Sequence, residues 1–149
     1  MNNIAWGLRR VPLFFIAGDG KYEVQPVSVR DTAAICVDAA AGEDDVVLDA
    51  AGPVRWSFEA FVRLIARAVR SRAWITHVSP TIVLGTGRIA GLALGDALIT
   101  RDELGALIAG LLVSTESPRG SDRFDVWVND NAFQLGRRYT SELARNFRP

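Results

Sequence analysis

Apolar and polar positions along this chain change period several times, and each change predicts an element. Phe14-Phe15-Ile16-Ala17 is an apolar run ended by Gly18-Asp19-Gly20, a turn signal. From Gln25 to Val29 the chain alternates, with Val27 and Val29 on one face and Ser28 on the other, which predicts a short strand. This strand is expected to turn sharply into a helix capped by Asp31, whose carboxylate suits the free N–H groups of a first turn. Ala33, Ala34, Val37, Ala40 and Ala41 then form a small-residue stripe at helical spacing, suited to lying close against a sheet. An acidic loop, Gly42 to Asp45, leads to a strand over Val46–Ala50, closed by Gly52-Pro53. Ser57 caps an amphipathic helix in which Phe58, Phe61, Val62, Ile65, Ala66 and Val69 recur at three- and four-residue steps. Arg63, Arg67 and Arg70 ride its other face, and a solvated surface explains them better than a phosphate grip.

Trp74 to Val78 predicts a further strand, and Pro80 fits the first turn of a helix running to about Leu94. Thr100 and Glu103 have capping-box spacing and open a helix with Leu104, Leu107, Ile108, Leu111 and Leu112 on one face. Ser114 to Asp122 is polar, with Pro118 and Gly120, and predicts a loop. Phe124-Asp125-Val126-Trp127-Val128 alternates, which predicts a strand or extended segment, and Phe133 to Phe147 predicts a helix. Ile4, Trp6 and Leu8 suggest the end of a helix over Met1–Arg10, from which a truncated chain is expected, a short natural gene product being the alternative. The pattern contains no internal repeat and no low-complexity tract.

At 149 residues the chain has the length of one domain, read as spanning 1–149, with 49% apolar and 23% charged residues. Seventeen basic and 17 acidic residues cancel, so no electrostatic footprint for nucleic acid or an anionic membrane is present. The lone cysteine, Cys36, excludes an internal disulfide and a cysteine-based metal cluster; on its helix it is expected to be a buried thiol. The apolar run Val11–Gly18 contains Pro12 and is too short to span a bilayer, so a cytoplasmic protein is expected.

Candidate chemistry is sparse. Gly85-Thr86-Gly87-Arg88-Ile89-Ala90 matches a loose dinucleotide fingerprint, in which N–H groups at a helix start cradle a pyrophosphate. Its context is unfavourable: Pro80 starts a helix before the glycines, and no second strand follows at the required spacing. Gly85, Gly87 and Ala90 are therefore read as packing positions rather than a cofactor site. His77 is the sole histidine, and no Ser/His/Asp or metal set assembles around it. Asp44-Asp45 and Asp102-Glu103 are adjacent pairs whose side chains point apart, unlike a general acid/base couple.

The order of several segments carries a family resemblance. Gly18-Asp19-Gly20, four residues, then Gln25-Pro26-Val27-Ser28-Val29-x-Asp31-x-Ala33 resembles the middle of an extended or atypical short-chain dehydrogenase/reductase, the group that includes the nucleoside-diphosphate-sugar epimerases. The likeness continues through Val47–Pro53, the helix after Trp56-Ser57-Phe58 and the Thr100–Leu104 helix start. It ends at Leu135-Gly136-Arg137-Arg138-Tyr139, similar to the branch containing the complex I accessory subunit. It covers nearly the whole chain but only the C-terminal half of the family.

That resemblance implies an α/β fold (α+β in isolation): a small mixed sheet with packed helices, the C-terminal part of an NAD(P)-binding, Rossmann-like epimerase fold. It places the strand from Gln25 beside the substrate cleft, making Gln25 and Ser28 substrate-facing and setting Arg30 to pair an anionic group. The family's Gly-rich nucleotide loop is absent, and so is its Tyr-x-x-x-Lys pair: Tyr22 is followed four positions on by Pro26, and Tyr139 by Leu143. No cofactor is expected on this chain, NAD(P) belonging to the complete family protein. The expected function is the substrate-binding portion of an NAD(P)-dependent nucleoside-diphosphate-sugar epimerase/dehydratase- or reductase-like protein, catalytically silent alone. Its partners would be the missing N-terminal nucleotide-binding domain and a nucleotide-sugar-like substrate. The alternative is a non-enzymatic assembly module paired with a second copy of itself; a weaker one is a small binder using Gly85–Gly91.

Overall fold

The apolar repeat that begins at Phe58 becomes the central helix of the molecule. Val62 and Ile65 are fully buried on it, and Phe61, Leu64 and Ala66 nearly so. A computed structural model describes residues 1–42 and 45–146. In chain order the elements are α1 (Asn2–Arg10), β1 (Leu13–Ala17), β2 (Glu23–Val24), α2 (Val29–Ala40), β3 (Trp56–Ser57) and α3 (Phe58–Ala68). After these come β4 (Trp74–Val78), α4 (Pro80–Leu94), α5 (Arg101–Ile108), α6 (Phe124–Asp130) and α7 (Glu142–Asn146). The protein is mixed α/β. Its strands form two separate ladders: β1 pairs in parallel with β4, and β2 pairs antiparallel with β3.

Side-chain oxygens start α2, α3 and α5, and Ser141 Oγ does the same before α7, accepting from Ala144 N–H at 3.1 Å. Ser57 Oγ accepts from Ala60 N–H at 3.2 Å, Ser28 Oγ from Asp31 N–H at 2.9 Å and Thr100 Oγ1 from Glu103 N–H at 3.2 Å. The Glu103 carboxylate returns to Thr100 N–H at 2.8 Å, completing the expected capping box. Packed on α3 are α1, through Ala5 and Leu8, and α6, through Phe124 and Val128. Tyr22, Phe58, Phe61 and Phe124 stack in succession, with centroids 5.4, 6.3 and 4.7 Å apart, and so tie β2 to α6 through α3. The two arginines ending α1 bind main-chain carbonyls of the C-terminal turns: Arg9 those of Ala132 and Leu135, Arg10 those of Gly136 and Arg137. Gly136 sits at φ +71°, and a Cβ there would lie 2.4 Å from the Ala5 carbonyl carbon, so only glycine allows α1 this approach.

Several expectations are corrected. The strand expected over Gln25–Val29 stops at Val24; Pro26 has no N–H to donate, and Ser28, not Asp31, caps α2. Val46–Ala50 forms no strand, because no described strand edge lies beside it. Phe124–Val128 is helical: Phe124 and Val128 are buried one turn apart, a spacing hidden inside an alternating pattern. The helix with Leu111 and Leu112 ends at Ile108, beyond which Gly110 turns the chain at φ +73°. Phe133–Phe147 is mostly turns, with helix only over Glu142–Asn146, and Phe147 lies outside the described residues. Glu43 and Asp44, part of the acidic loop, also lie outside them. The small-residue stripe of α2 faces solvent, not a sheet, and Cys36 is exposed, not buried.

Candidate functional site

The sharp turn into α2, the 121–123 loop and α6 as far as Asp130 line an open cleft of about 710 Å³, with Met1 beside them. Its floor is held by a reciprocal latch. Asp31, nearly buried, accepts from Ser121 N–H at 2.9 Å and Asp122 N–H at 2.8 Å with Oδ2, and from Ser121 Oγ at 3.2 Å with Oδ1. Ser28 Oγ donates to Asp122 Oδ2 at 2.7 Å. The start of α2 thus satisfies the amides of the 121–122 loop, and the loop's Asp122 carboxylate in turn accepts the Ser28 hydroxyl. The Asp122 N–H, foremost, and then the Ser121 donors hold the Asp31 carboxyl below the usual carboxylate range, against the opposing effect of burial.

The three residues expected to face a substrate are separated by the fold. Gln25 lines a smaller recess, and its amide is engaged at both ends: Nε2 donates to Gly52 O at 2.8 Å, and Oε1 accepts from Ser114 N–H at 3.1 Å. It clamps three chain segments together. Ser28 reaches the main cleft, with its hydroxyl spent on the helix cap and on Asp122. Arg30 lines the same cleft, is exposed, and makes no hydrogen bond or ion pair to any described residue. Its guanidinium presents five donors to whatever enters.

The same cleft is lined by an apolar surface of α6 that sequence patterning did not anticipate. Val126 and Trp127 are 53% and 38% exposed there, with Phe124 behind them. Arg123 binds Asp125 through two hydrogen bonds, Nε to Oδ1 at 3.1 Å and an η nitrogen to Oδ2 at 2.8 Å. That contact holds the Asp125 carboxyl low and leaves Arg30 as the cleft arginine without a carboxylate partner. Among the described residues, the cleft thus sets the Arg30 guanidinium, which has no carboxylate partner among them, in one lining with Val126 and Trp127, and with Asp122 and Asp130. That combination suits an anionic molecule carrying a planar or apolar group. The signal for this wall was the burial spacing of Phe124 and Val128, obscured by reading the segment as extended.

Other candidates lie elsewhere. Gly85 and Gly87 sit inside α4, beyond the first turn, where helix amides bond to carbonyls four residues back and none is left for a phosphate. Gly91 lets Asp96 approach: a Cβ would fall 2.5 Å from the Asp96 carbonyl oxygen. His77 Nε2 lies 3.4 Å from Glu59 Oε2, and Glu59 also binds Arg63 at 2.7 Å, linking β4 to the start of α3. Tyr139 Oη donates to the buried Asp96 carboxylate, far in sequence from Lys21. Among the described residues no group of three His, Cys, Asp or Glu is placed to hold a metal ion. None of their helices is long and apolar enough to cross a membrane. Neither the family models nor the curated proteins compared with this chain give a match.

Proposed function

We propose that this chain is the substrate-binding portion of an NAD(P)-dependent, nucleoside-diphosphate-sugar epimerase/dehydratase- or reductase-like protein. Hydride transfer and the dinucleotide belong to another domain; this portion supplies the substrate wall and is silent alone. The observation that carries the reading is Arg30, which has no side-chain partner among the described residues and lines one cleft with Val126 and Trp127. A phosphoryl group on Arg30 and a ring against Trp127 would fill both halves of that arrangement. The segment order quoted above gives the reading its family.

The test is NMR titration of the isotope-labelled chain with uridine diphosphate glucose, with NADP⁺ run in parallel. Shifts centred on Arg30 and residues 121–127 are expected from the sugar nucleotide and none from NADP⁺. Arg30→Ala should weaken the effect about 10- to 100-fold, the range of one charge-assisted hydrogen bond. No saturable shift up to about 10 mM, a regime weaker than any useful substrate site, would refute it, as would shifts centred elsewhere.

Exposed apolar side chains on α4 favour a second reading, a non-enzymatic assembly module. Ile89 and Leu92 are 71% and 79% exposed on neighbouring turns. Light scattering at rising protein concentration separates the two: a stable homo-oligomer that ignores sugar nucleotides supports assembly.

A further inference from the structure

The charged side chains that line the main cleft are Arg30, Asp122, Arg123 and Asp130. Two of them are engaged: Arg123 grips Asp125 through two hydrogen bonds, and Asp122 accepts from Ser28 Oγ at 2.7 Å. Arg30 and Asp130 have no side-chain partner among the described residues. They carry opposite charges and share one lining, yet they do not pair with each other. Their charged ends are therefore held apart, beyond the reach of an ion pair.

Neither charge helps the helix that carries it. Arg30 lies in the first turn of α2, the positive end of a helix, where a cation is disfavoured. Asp130 is the last residue of α6, the negative end, where an anion is disfavoured. Two charges that oppose their own helices and stay apart within one cleft fit a ligand that is itself dipolar, anionic at one end and cationic at the other. Trp127 stands three residues before Asp130 on α6, so the two are neighbours on its surface, and both line the cleft. An aromatic ring next to a carboxylate suits an alkylammonium, which is drawn to the ring face and donates a charge-assisted hydrogen bond. A neutral sugar on a diphosphate would leave Asp122 and Asp130 beside its negative charges, with Arg30 alone to offset them. An ammonium on the sugar removes that imbalance. A cleft of about 710 Å³ has room for a ligand of this size.

We infer that the ligand of this cleft is a nucleoside-diphosphate sugar bearing a free, protonated amino group. A phosphoryl oxygen accepts from Arg30, and the ammonium donates to Asp130 beside Trp127. This rests on the reading of the chain as a sugar-nucleotide-binding portion and adds to it a substrate class and a specificity residue. Arg30 holds the phosphoryl end common to all such molecules; Asp130 chooses among their sugars.

The test titrates the isotope-labelled chain with uridine diphosphate glucose, uridine diphosphate glucosamine and uridine diphosphate N-acetylglucosamine. Only the second carries a cationic sugar; the third keeps the nitrogen without its charge. Uridine diphosphate glucosamine should bind about tenfold more tightly than either of the others and move the Trp127 indole N–H resonance furthest. Asp130→Asn should abolish that preference and bind uridine diphosphate glucose no less tightly than the parent. Asp130 is exposed at a helix end, so this variant should keep the parent's thermal midpoint. Asp102→Asn removes an exposed carboxylate outside the cleft lining and should leave the preference intact. Equal affinity for the three, a preference that survives Asp130→Asn, or one that Asp102→Asn abolishes equally would overturn the inference. Shifts from uridine diphosphate glucose at Arg30 without any preference for the amine would sink the amino-sugar subsite alone. No saturable shift from any of the three would sink both it and the substrate-binding reading.

Discussion

Gly52 is the position where one methyl group should do most to the cleft. It is buried, and a Cβ built on it would lie 1.9 Å from the Pro26 carbonyl oxygen, where ordinary contact begins at 3.4 Å. Gly52→Ala must therefore move the 49–53 segment away from the 25–28 turn by about 1.5 Å. Two hydrogen bonds span that region, Gln25 Nε2 to Gly52 O at 2.8 Å and Gly120 N–H to Ala51 O at 2.9 Å. Losing them costs about 1 kcal/mol each, and the forced displacement about 1–3 kcal/mol more. The expected destabilisation is about 3–5 kcal/mol, or roughly 10 °C in Tm for a chain of this length. Gly85→Ala is the matched control. Nothing lies within 4 Å of its Cβ position on the exposed side of α4, so the same methyl should stabilise by about 0.5–1 kcal/mol through helix propensity. Urea unfolding followed by the fluorescence of the four tryptophans measures both. If Gly52→Ala lies within about 0.5 kcal/mol of the parent, or both glycines respond alike, the packing described between these segments is wrong.

Three further outcomes are expected. Asp31 has a lowered folded pKa, so its unfolded form binds protons more readily; its contribution is complete above about pH 5 and fades as pH falls through the lowered value. Asp31→Asn should remove that part of the acid slope in urea midpoints taken from pH 2 to 6; an unchanged slope would refute the latch. Amides of residues 46–50 should exchange in the isolated chain at nearly the rate of an unstructured peptide, whereas those of Val62 and Ile65 should be strongly protected. Cys36, exposed on α2, should react stoichiometrically with a thiol reagent in the native protein; a thiol that needs denaturant would place α2 elsewhere.

Where an element is decided within its own residues, the sequence was enough. The Ser57 and Thr100 caps, the Pro80 start and the Phe58–Val69 repeat depend on local hydrogen bonds and spacing, and each stands where expected; the strand at Trp74–Val78 also stands where expected, but its ladder needs the distant β1. Elements that need a distant partner were not decided that way. Val46–Ala50 has strand composition, yet a strand exists only where an edge meets it, and none among the described residues does. Five residues at Phe124–Val128 fit either period, and the stacking of Phe124 on Phe61 selected the helix. Asp31 was the expected cap of α2. Tertiary structure assigned the cap to Ser28 and released Asp31 to hold Ser121 and Asp122, residues some ninety positions away. Gln25, Ser28 and Arg30 are neighbours in sequence, but of the three only Arg30 has a side chain with no partner among the described residues, because the first two meet carbonyl, amide and carboxylate partners that no local pattern reveals. Local spacing thus determined the starts of α3, α4 and α5; long-range contacts decided the strand pairing, the α6 helix and which polar groups are already engaged.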